Sequence, residues 1–167
     1  MGIHQFPFSS TLLILKADVL LCLKKYEESL FFLDKAALLD RSNPDLFIVK
    51  TDVLLALDRT EEASSILNEA FENFEGEERV NLLFELADLY DEYENFDIVF
   101  DCLRMILKTD AENEEALYKI CFWTDYTGRN EEGIKLHQSI LDANPFSELA
   151  WFNLGAAYQG KIGRAHV

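Results

Sequence analysis

Very little in this sequence interrupts a helix. Its 167 residues include three prolines and seven glycines. Pro7, Pro44 and Pro145 all fall between helical patterns, so nothing reads as strand-rich. Cysteine and histidine number three each. Cys22, Cys102 and Cys121 form neither a CxxC pair nor an even set, which excludes a disulfide framework. All three lie in helical apolar patterns, where a free thiol serves as a small buried hydrophobe. A reducing compartment, and with it the cytoplasm, is the expected location. Membrane-length apolar runs are missing too: the longest, near Leu12 to Leu23, is broken by Lys16 and Asp18. Met1 to Ser10 lack the basic start and apolar stretch of a secretory signal.

Positive charge is scarce. Fifteen basic side chains against 31 acidic ones leave a formal charge of -16. No local stretch supplies the cationic footprint that a nucleic-acid binder needs. So acidic a surface is solubilising, and it also favours basic partners. The strings of several chemistries are absent: no HExxH, GxGxxG, GxxxxGK or GxSxG occurs, which leaves metalloprotease, dinucleotide, P-loop and serine-hydrolase readings unsupported. Asp110, Glu112, Asn113 and Glu114 lack the glycine and the ligand spacing of a calcium loop. His4 sits in an interrupted N-terminal stretch, His166 in a suspect tail and His137 at a core-type position, so none is read as a ligand or a general base. The chain is read as non-enzymatic, with no catalytic, cofactor or metal site. Apolar residues reach 49%, enough to fold around a core.

What is present is a repeat. Trp151, Leu154, Gly155 and Tyr158, within PFSELAWFNLGAAY, have the spacing W-x2-L-G-x2-Y. Number them positions 4, 7, 8 and 11. A step of 34 residues back places Leu117, Ile120, Cys121 and Thr124 there, with Gly133, His137 and Ile140 at 20, 24 and 27 and Pro145 at 32. Another 34 gives Leu83, Leu86, Ala87 and Tyr90, then Val99, Leu103 and Ile106. A step of 36 gives Phe47, Lys50, Thr51 and Leu54, then Ala63, Leu67 and Ala70. The two extra residues fall around Asn73 to Glu78, a charged turn able to absorb them. A last step of 34 gives Leu13, Lys16, Ala17 and Leu20, then Ser29, Leu33 and Ala36. Small residues at 8, 20 and 27 let helices cross closely, and large ones at 4, 11 and 24 fill the space around the crossings. Lys16 and Lys50 replace the apolar position 7, where a long stem can still cover apolar surface.

Helix punctuation follows the same register. Asn43-Pro44, Asn113-Glu114 and Ser147-Glu148 read as helix starts. Turns fall at Lys24-Lys25, Asp58-Arg59, Glu94-Asn95 and Gly128-Arg129. Helices are expected near 10–23, 26–40, 44–57, 60–74, 78–93, 96–109, 114–127, 130–143 and 147–159. The array then covers 10–160, with repeats near 10–43, 44–77, 80–113 and 114–147 and a fifth first helix at 148–160. Residues 1–9 read as the tail of a preceding repeat, since QFPFS at Gln5 to Ser9 parallels ANPFS at Ala143 to Ser147 and puts Pro7 at position 32. Residues 161–167 are set aside as a non-native tail: Ile162 to Val167 read IGRAHV, the translation of a common sequencing-library adapter in one frame.

From about Ser10 to Gly160 the chain resembles the tetratricopeptide-repeat family, whose unit is a helix pair of about 34 residues. The resemblance implies an all-α fold: an α-solenoid, wound as a right-handed superhelix of antiparallel helix pairs, with the first helices lining its concave side. It implies a non-enzymatic interaction scaffold that holds a peptide or a partner helix in that groove. The other reading is the recruiting portion of a longer enzyme or signalling protein. Groove-facing residues of the family come mostly from positions 2, 5, 9 and 12, which share one helical face. Here position 5 holds Ile14, Ile48, Phe84, Tyr118 and Phe152; position 9 holds Asp18, Asp52, Asp88, Phe122 and Ala156; position 12 holds Leu21, Leu55, Asp91, Asp125 and Gln159. The candidate groove residues are Ile14, Asp18, Ile48, Asp52, Phe84, Asp88, Asp91, Tyr118, Phe122 and Asp125, an apolar and aromatic surface with a ladder of carboxylates. Chaperone-binding members carry Lys, Asn and Arg at these places to clamp a C-terminal carboxylate, and this chain departs from that pattern. The partner implied is a protein or peptide of basic-amphipathic character, not nucleic acid or a membrane. Trp151, Leu154 and Tyr158 have no following helix in the pattern, so self-association through the array ends is also expected.

Overall fold

The computed structural model describes residues 9–165. Among them lie nine α-helices: α1 (Ser10–Cys22), α2 (Tyr26–Leu39), α3 (Pro44–Ala56), α4 (Thr60–Asn73), α5 (Gly76–Glu92), α6 (Phe96–Thr109), α7 (Glu114–Tyr126), α8 (Asn130–Ala143) and α9 (Glu148–Ala165). No strand occurs among the described residues. Four helix pairs, α1/α2 through α7/α8, stack as an α-solenoid, and α9 packs on both α7 and α8. Of the preceding-repeat tail read into residues 1–9, residues 1–8, with His4 and Pro7, lie outside the described residues, as does His166.

Local chemistry sets the boundaries. The Asp45 amide donates to Asn43 Oδ1 at 3.0 Å, with Pro44 in the first turn of α3. The Ala116 amide donates to Asn113 Oδ1 at 3.0 Å, and that of Ala150 to Ser147 Oγ at 3.3 Å. Each cap satisfies an amide that the helix itself cannot. One device makes the turn within every pair. Lys24, Asp58, Glu94 and Gly128 adopt left-handed backbone, with φ of 58°, 59°, 56° and 78°. In the first turn the Lys25 and Lys24 amides donate to the Leu20 and Leu21 carbonyls, both at 2.8 Å, and the pattern recurs at Arg59/Asp58 and Asn95/Glu94. These bonds close the last turn of the first helix and reverse the chain into the second.

The repeat register shows directly as burial. Ala17, Ser29, Leu33, Ala36, Ala63, Leu103 and Ile106 have no exposed surface, and each occupies position 8, 20, 24 or 27. At the α7/α8 crossing a Cβ on Gly133 would lie 2.8 Å from Thr124 Oγ1, so a side chain there would force the helices to shift. At the α1/α2 crossing Ser29 Oγ donates to the Ala17 carbonyl at 2.7 Å. The two position-7 lysines both reach onto α2: the Lys16 ammonium lies 3.9 Å from the Phe32 ring centroid, and Lys50 Nζ lies 2.8 Å from Asp34 Oδ1. The core has two parts. One runs from Leu13 to Ile120; the other, between α8 and α9, gathers Ile134, Leu141, Ala150, Leu154 and Ala157. Thr124, Asn130, His137 and Asn153 are buried polar residues on the helices at this division.

Two boundaries differ from the sequence pattern. α5 begins at Gly76, so the extra residues of the 36-residue step are wound into the helix and not looped out. Phe74, just past α4, is buried and packs edge-on against Phe47 with centroids 5.3 Å apart, which leaves only Glu75 before α5 begins. α9 continues to Ala165, past the 159 expected, and takes in residues 161–165 of the supposed tail. Lys161 Nζ there pairs with Glu131 at 3.0 Å. Within α9, Leu154 is buried, but Trp151 is 56% and Tyr158 42% exposed. Their counterparts in the earlier repeats, from Leu13 and Leu20 to Leu117 and Thr124, are buried, and no second helix follows α9 among the described residues.

Candidate functional site

The first helices α1, α3, α5 and α7 carry the ten candidate groove residues, and the structure treats these unequally. Ile14 is 3% exposed: α1 turns Leu13, Ile14, Ala17 and Leu20 into the core, so Ile14 has no surface to offer a ligand. Asp18 is exposed at the same end. Ile48 and Phe84 are half-buried against the core. Asp52 accepts from the Tyr93 hydroxyl at 2.7 Å. Asp88 pairs with Lys119 Nζ at 2.7 Å, and the same ammonium lies 3.5 Å from Glu115 and 5.2 Å from the Phe84 centroid. Lys119 spans the widest step along this face, since the α5 and α7 backbones nowhere approach within 8 Å, whereas those of α1 and α3, α3 and α5, and α7 and α9 do. Asp91 is half-buried, and loss of hydration, with the neighbouring Asp88 charge, raises its carboxyl above the usual range against the pull of Lys119. The middle of the carboxylate ladder is thus engaged within the protein.

Tyr118, Phe122 and Asp125 come together in a cleft. α7 and α9 enclose a hollow of about 500 Å³ between Tyr118, Phe122, Asp125 and Tyr126 on one side and Phe152, Ala156, Gln159 and Gly160 on the other. A second hollow of about 650 Å³ continues it toward the helix N-termini, among Glu112, Glu114, Phe146 and Glu148. Tyr118 and Phe152 line both. These rings are solvent-facing: Tyr118 is 61%, Phe122 58%, and Tyr126 and Phe152 each 66% exposed. The Phe122 and Tyr126 rings stack at 6.0 Å and 11°, Trp123 stands edge-on to both, and Phe96 of α6 supports Trp123 at 5.1 Å. At the far end Asn130 Nδ2 donates to Asp125 Oδ1 at 3.4 Å, and a Cβ on Gly160 would come within 2.7 Å of that oxygen. The lining of the two hollows includes Glu112, Glu114, Asp125 and Glu148, and no lysine or arginine among the described residues.

No family model and no curated protein matches this sequence. Solved structures match it in shape. The crystal structure of YrrB, a TPR protein with an unusual peptide-binding site, is similar over 93% of this chain and 79% of its own, with a TM-score of 0.51 at 20% identity. That of MamA is similar over 94% and 85%, with a TM-score of 0.52 at 15% identity. A tetratricopeptide repeat protein from Parabacteroides merdae ATCC 43184 is similar over 97% of this chain and 62% of its own, with a TM-score of 0.53 at 17% identity. The fold is a tetratricopeptide-repeat solenoid.

Within this TPR solenoid the repeat register finds part of the cleft. Phe152, Ala156 and Gln159 sit at groove positions of the fifth first helix, as Tyr118, Phe122 and Asp125 do in the fourth. Tyr126 lies one turn beyond Phe122, and that spacing of four is the signal for it. Phe146 and Glu112 lie in the connections between pairs, which a helical register does not reach. Cys121 borders the cleft, and burial, then the Asp125 charge, push its thiol pKa up, so it is held as a neutral thiol. Among the described residues no three His, Cys, Asp or Glu side chains form a metal-holding group.

Proposed function

We propose that this TPR solenoid is a protein-interaction module that holds a basic, amphipathic peptide or partner helix on the face formed by its first helices. The observation that carries the reading is the α7–α9 cleft, where four solvent-facing rings stand beside Glu112, Glu114 and Glu148, with no lysine or arginine lining it among the described residues. Burying one such ring against a partner stabilises by about 1.5–3 kcal/mol. An exposed ion pair contributes about 0–1 kcal/mol. Aromatic and aliphatic anchors at Ile48, Phe84, Tyr118, Phe122 and Phe152 therefore dominate affinity. Asp18, Asp52, Asp88, Asp91 and Asp125 set selectivity and association rate, an influence that salt screens. YrrB, similar in fold, is by its name a peptide binder, and the same use is proposed here. No helix among the described residues is long and apolar enough to cross a membrane.

The test is a panel of basic-amphipathic, acidic and neutral peptides measured against the whole chain at low and high salt. Basic-amphipathic peptides are expected to bind, more slowly as salt rises, and Phe84→Ala with Tyr118→Ala is expected to weaken them at least tenfold. Preference for acidic C-terminal peptides, or binding indifferent to both salt and these substitutions, overturns the reading.

A further inference from the structure

We propose that this chain associates with its own copies head to tail, the outward side of α9 in one copy packing antiparallel on an open face of α1 in the next. This assembly goes beyond the groove reading and does not depend on it. The repeat register reveals the α1 face. At position 3 the later first helices carry Leu46, Leu82, Ala116 and Ala150, all buried, and each of those helices packs against the second helix of the pair before it. α1 has Leu12 at position 3 and Val19 at position 10, where Val53 and Ala157 of later repeats are buried. No helix precedes α1 among the described residues, and Leu12, Leu15, Val19 and Leu23 are each more than half exposed. Their spacing of three, four and four puts them on one side of the helix. α1 thus presents the apolar stripe of an inter-repeat contact.

Chemistry and charge name the occupant. On α9, Glu148, Trp151, Gly155 and Tyr158 share one side. The Trp151 indole N–H donates to the Pro145 carbonyl at 2.9 Å, and the Tyr158 hydroxyl accepts from Gln138 Nε2 at 3.1 Å, so both rings are held in place before a partner arrives. Gly155 leaves a notch between them, with open space where a Cβ would stand. Within the chain, a first-turn acid of a second helix twice meets a cation in the turn that ends the next first helix: Glu27 with Arg59 and Asp97 with Arg129. α9 offers the same acid, with Glu148 in its first turn. α1 ends at Lys24, which makes no ion pair among the described residues, whereas Lys25 beside it is held by Glu28 at 3.1 Å. Setting Glu148 at Lys24 makes the two helices antiparallel. It brings Trp151 to Leu23, Gly155 to Val19 and Tyr158 to Leu15, intervals of four and three against four and four. Repulsion is least at these ends. Residues 44–113 hold 19 acidic and five basic side chains, whereas residues 10–43 hold five of each and Glu148 is the only acid of α9.

A contact between unlike faces leaves every assembly with one free face of each kind, so growth continues as an open chain unless the rotation closes a ring. The experiment is sedimentation of the whole chain over a range of concentrations. The wild-type chain should gain mass beyond a dimer as concentration rises. Leu15→Ser with Val19→Ser on α1, and Trp151→Ser with Tyr158→Ser on α9, should each stay at monomer mass alone. Mixed in equal amounts, the two variants should form a one-to-one pair and stop there, because one keeps the α9 face and the other the α1 face. Lys24→Glu should weaken association of the otherwise unchanged chain up to about fivefold, and Glu148→Lys added to it should restore the original strength. All the replaced side chains are exposed, so the fold should survive each change, as circular dichroism will check. An α1 variant that associates like the wild type means that α9 pairs with itself, which overturns the inference. A mixture that remains monomeric overturns it as well. So does a wild-type chain that is monomeric throughout, the α1 face then being covered by another segment or partner.

Discussion

At position 24 of the fourth repeat His137 stands where Leu33, Leu67 and Leu103 stand in the others. It is fully buried, and neither ring nitrogen has a hydrogen-bond partner. Burial lowers its imidazole from 6.5 to about 4. The folded chain therefore holds His137 neutral while the unfolded chain protonates it near 6.5. The associated stability is fully present above that pH and is lost as pH falls toward 4, a change of about 3 kcal/mol over the window. His137→Leu should add about 1–2 kcal/mol at neutral pH by removing a buried unsatisfied polar group. It should also flatten the acid loss, read as urea midpoints at pH 7 and pH 4.5. An unchanged difference between the two midpoints would contradict this account. The burial of His137 was legible from its register, but its lack of partners was not, because that depends on how α8 meets α7 and α9. Ile14 failed for a similar reason: at position 5 of α1 it joins the core, whereas Tyr118 and Phe152 at the same position of α7 and α9 are exposed, a difference set by tertiary packing.

Helices are the part of this molecule that the sequence states most openly. Caps at Asn43, Asn113 and Ser147, and turns at Lys24, Asp58, Glu94 and Gly128, lie where local pattern places them, because both are decided within a few residues. The α5 start and the α9 end escaped because tertiary contacts decide them: Phe74 inserting beside Phe47, and Lys161 reaching Glu131. Only the fourth turn has glycine at its left-handed residue, and a non-glycine there costs about 1–2 kcal/mol. Glu94→Gly should accordingly stabilise the chain by about 1 kcal/mol, net of the freedom glycine adds to the unfolded state. A lower thermal midpoint for that variant would show the turn is not strained. The register itself is tested at position 20. Ala63→Leu should cost about 1–3 kcal/mol by overpacking. Glu61→Gln, on the exposed side of α4, should stay within about 0.5 kcal/mol. Equal effects would mean the register is wrong.

Across the whole molecule, several basic residues tie neighbouring repeats together. Arg59 pairs with Glu27 at 3.8 Å, Arg104 with Glu132 at 3.1 Å and Arg129 with Asp97 at 2.5 Å. The acidic excess, a formal charge of -16, therefore dominates the rest of the surface. The outward side of α9 adds a different feature: Trp151 and Tyr158 are exposed beside Gly155, whose Cβ would meet nothing within 4 Å. We propose that this side supports self-association. Sedimentation should show a mass rising above 19.2 kDa with concentration, and Trp151→Ser with Tyr158→Ser should abolish the rise. A wild-type chain that stays monomeric at every concentration contradicts it. The repeat register was legible at this scale because it recurs, whereas the α7–α9 cleft depends on the spacing of neighbouring first helices and on Phe146 in a connection. The most direct test of the interaction reading is amide chemical-shift mapping during titration with a basic-amphipathic peptide. The account predicts shifts concentrated on α5, α7 and α9, largest around Tyr118, Phe122 and Phe152. Shifts confined to the second helices α2, α4, α6 and α8 would contradict it.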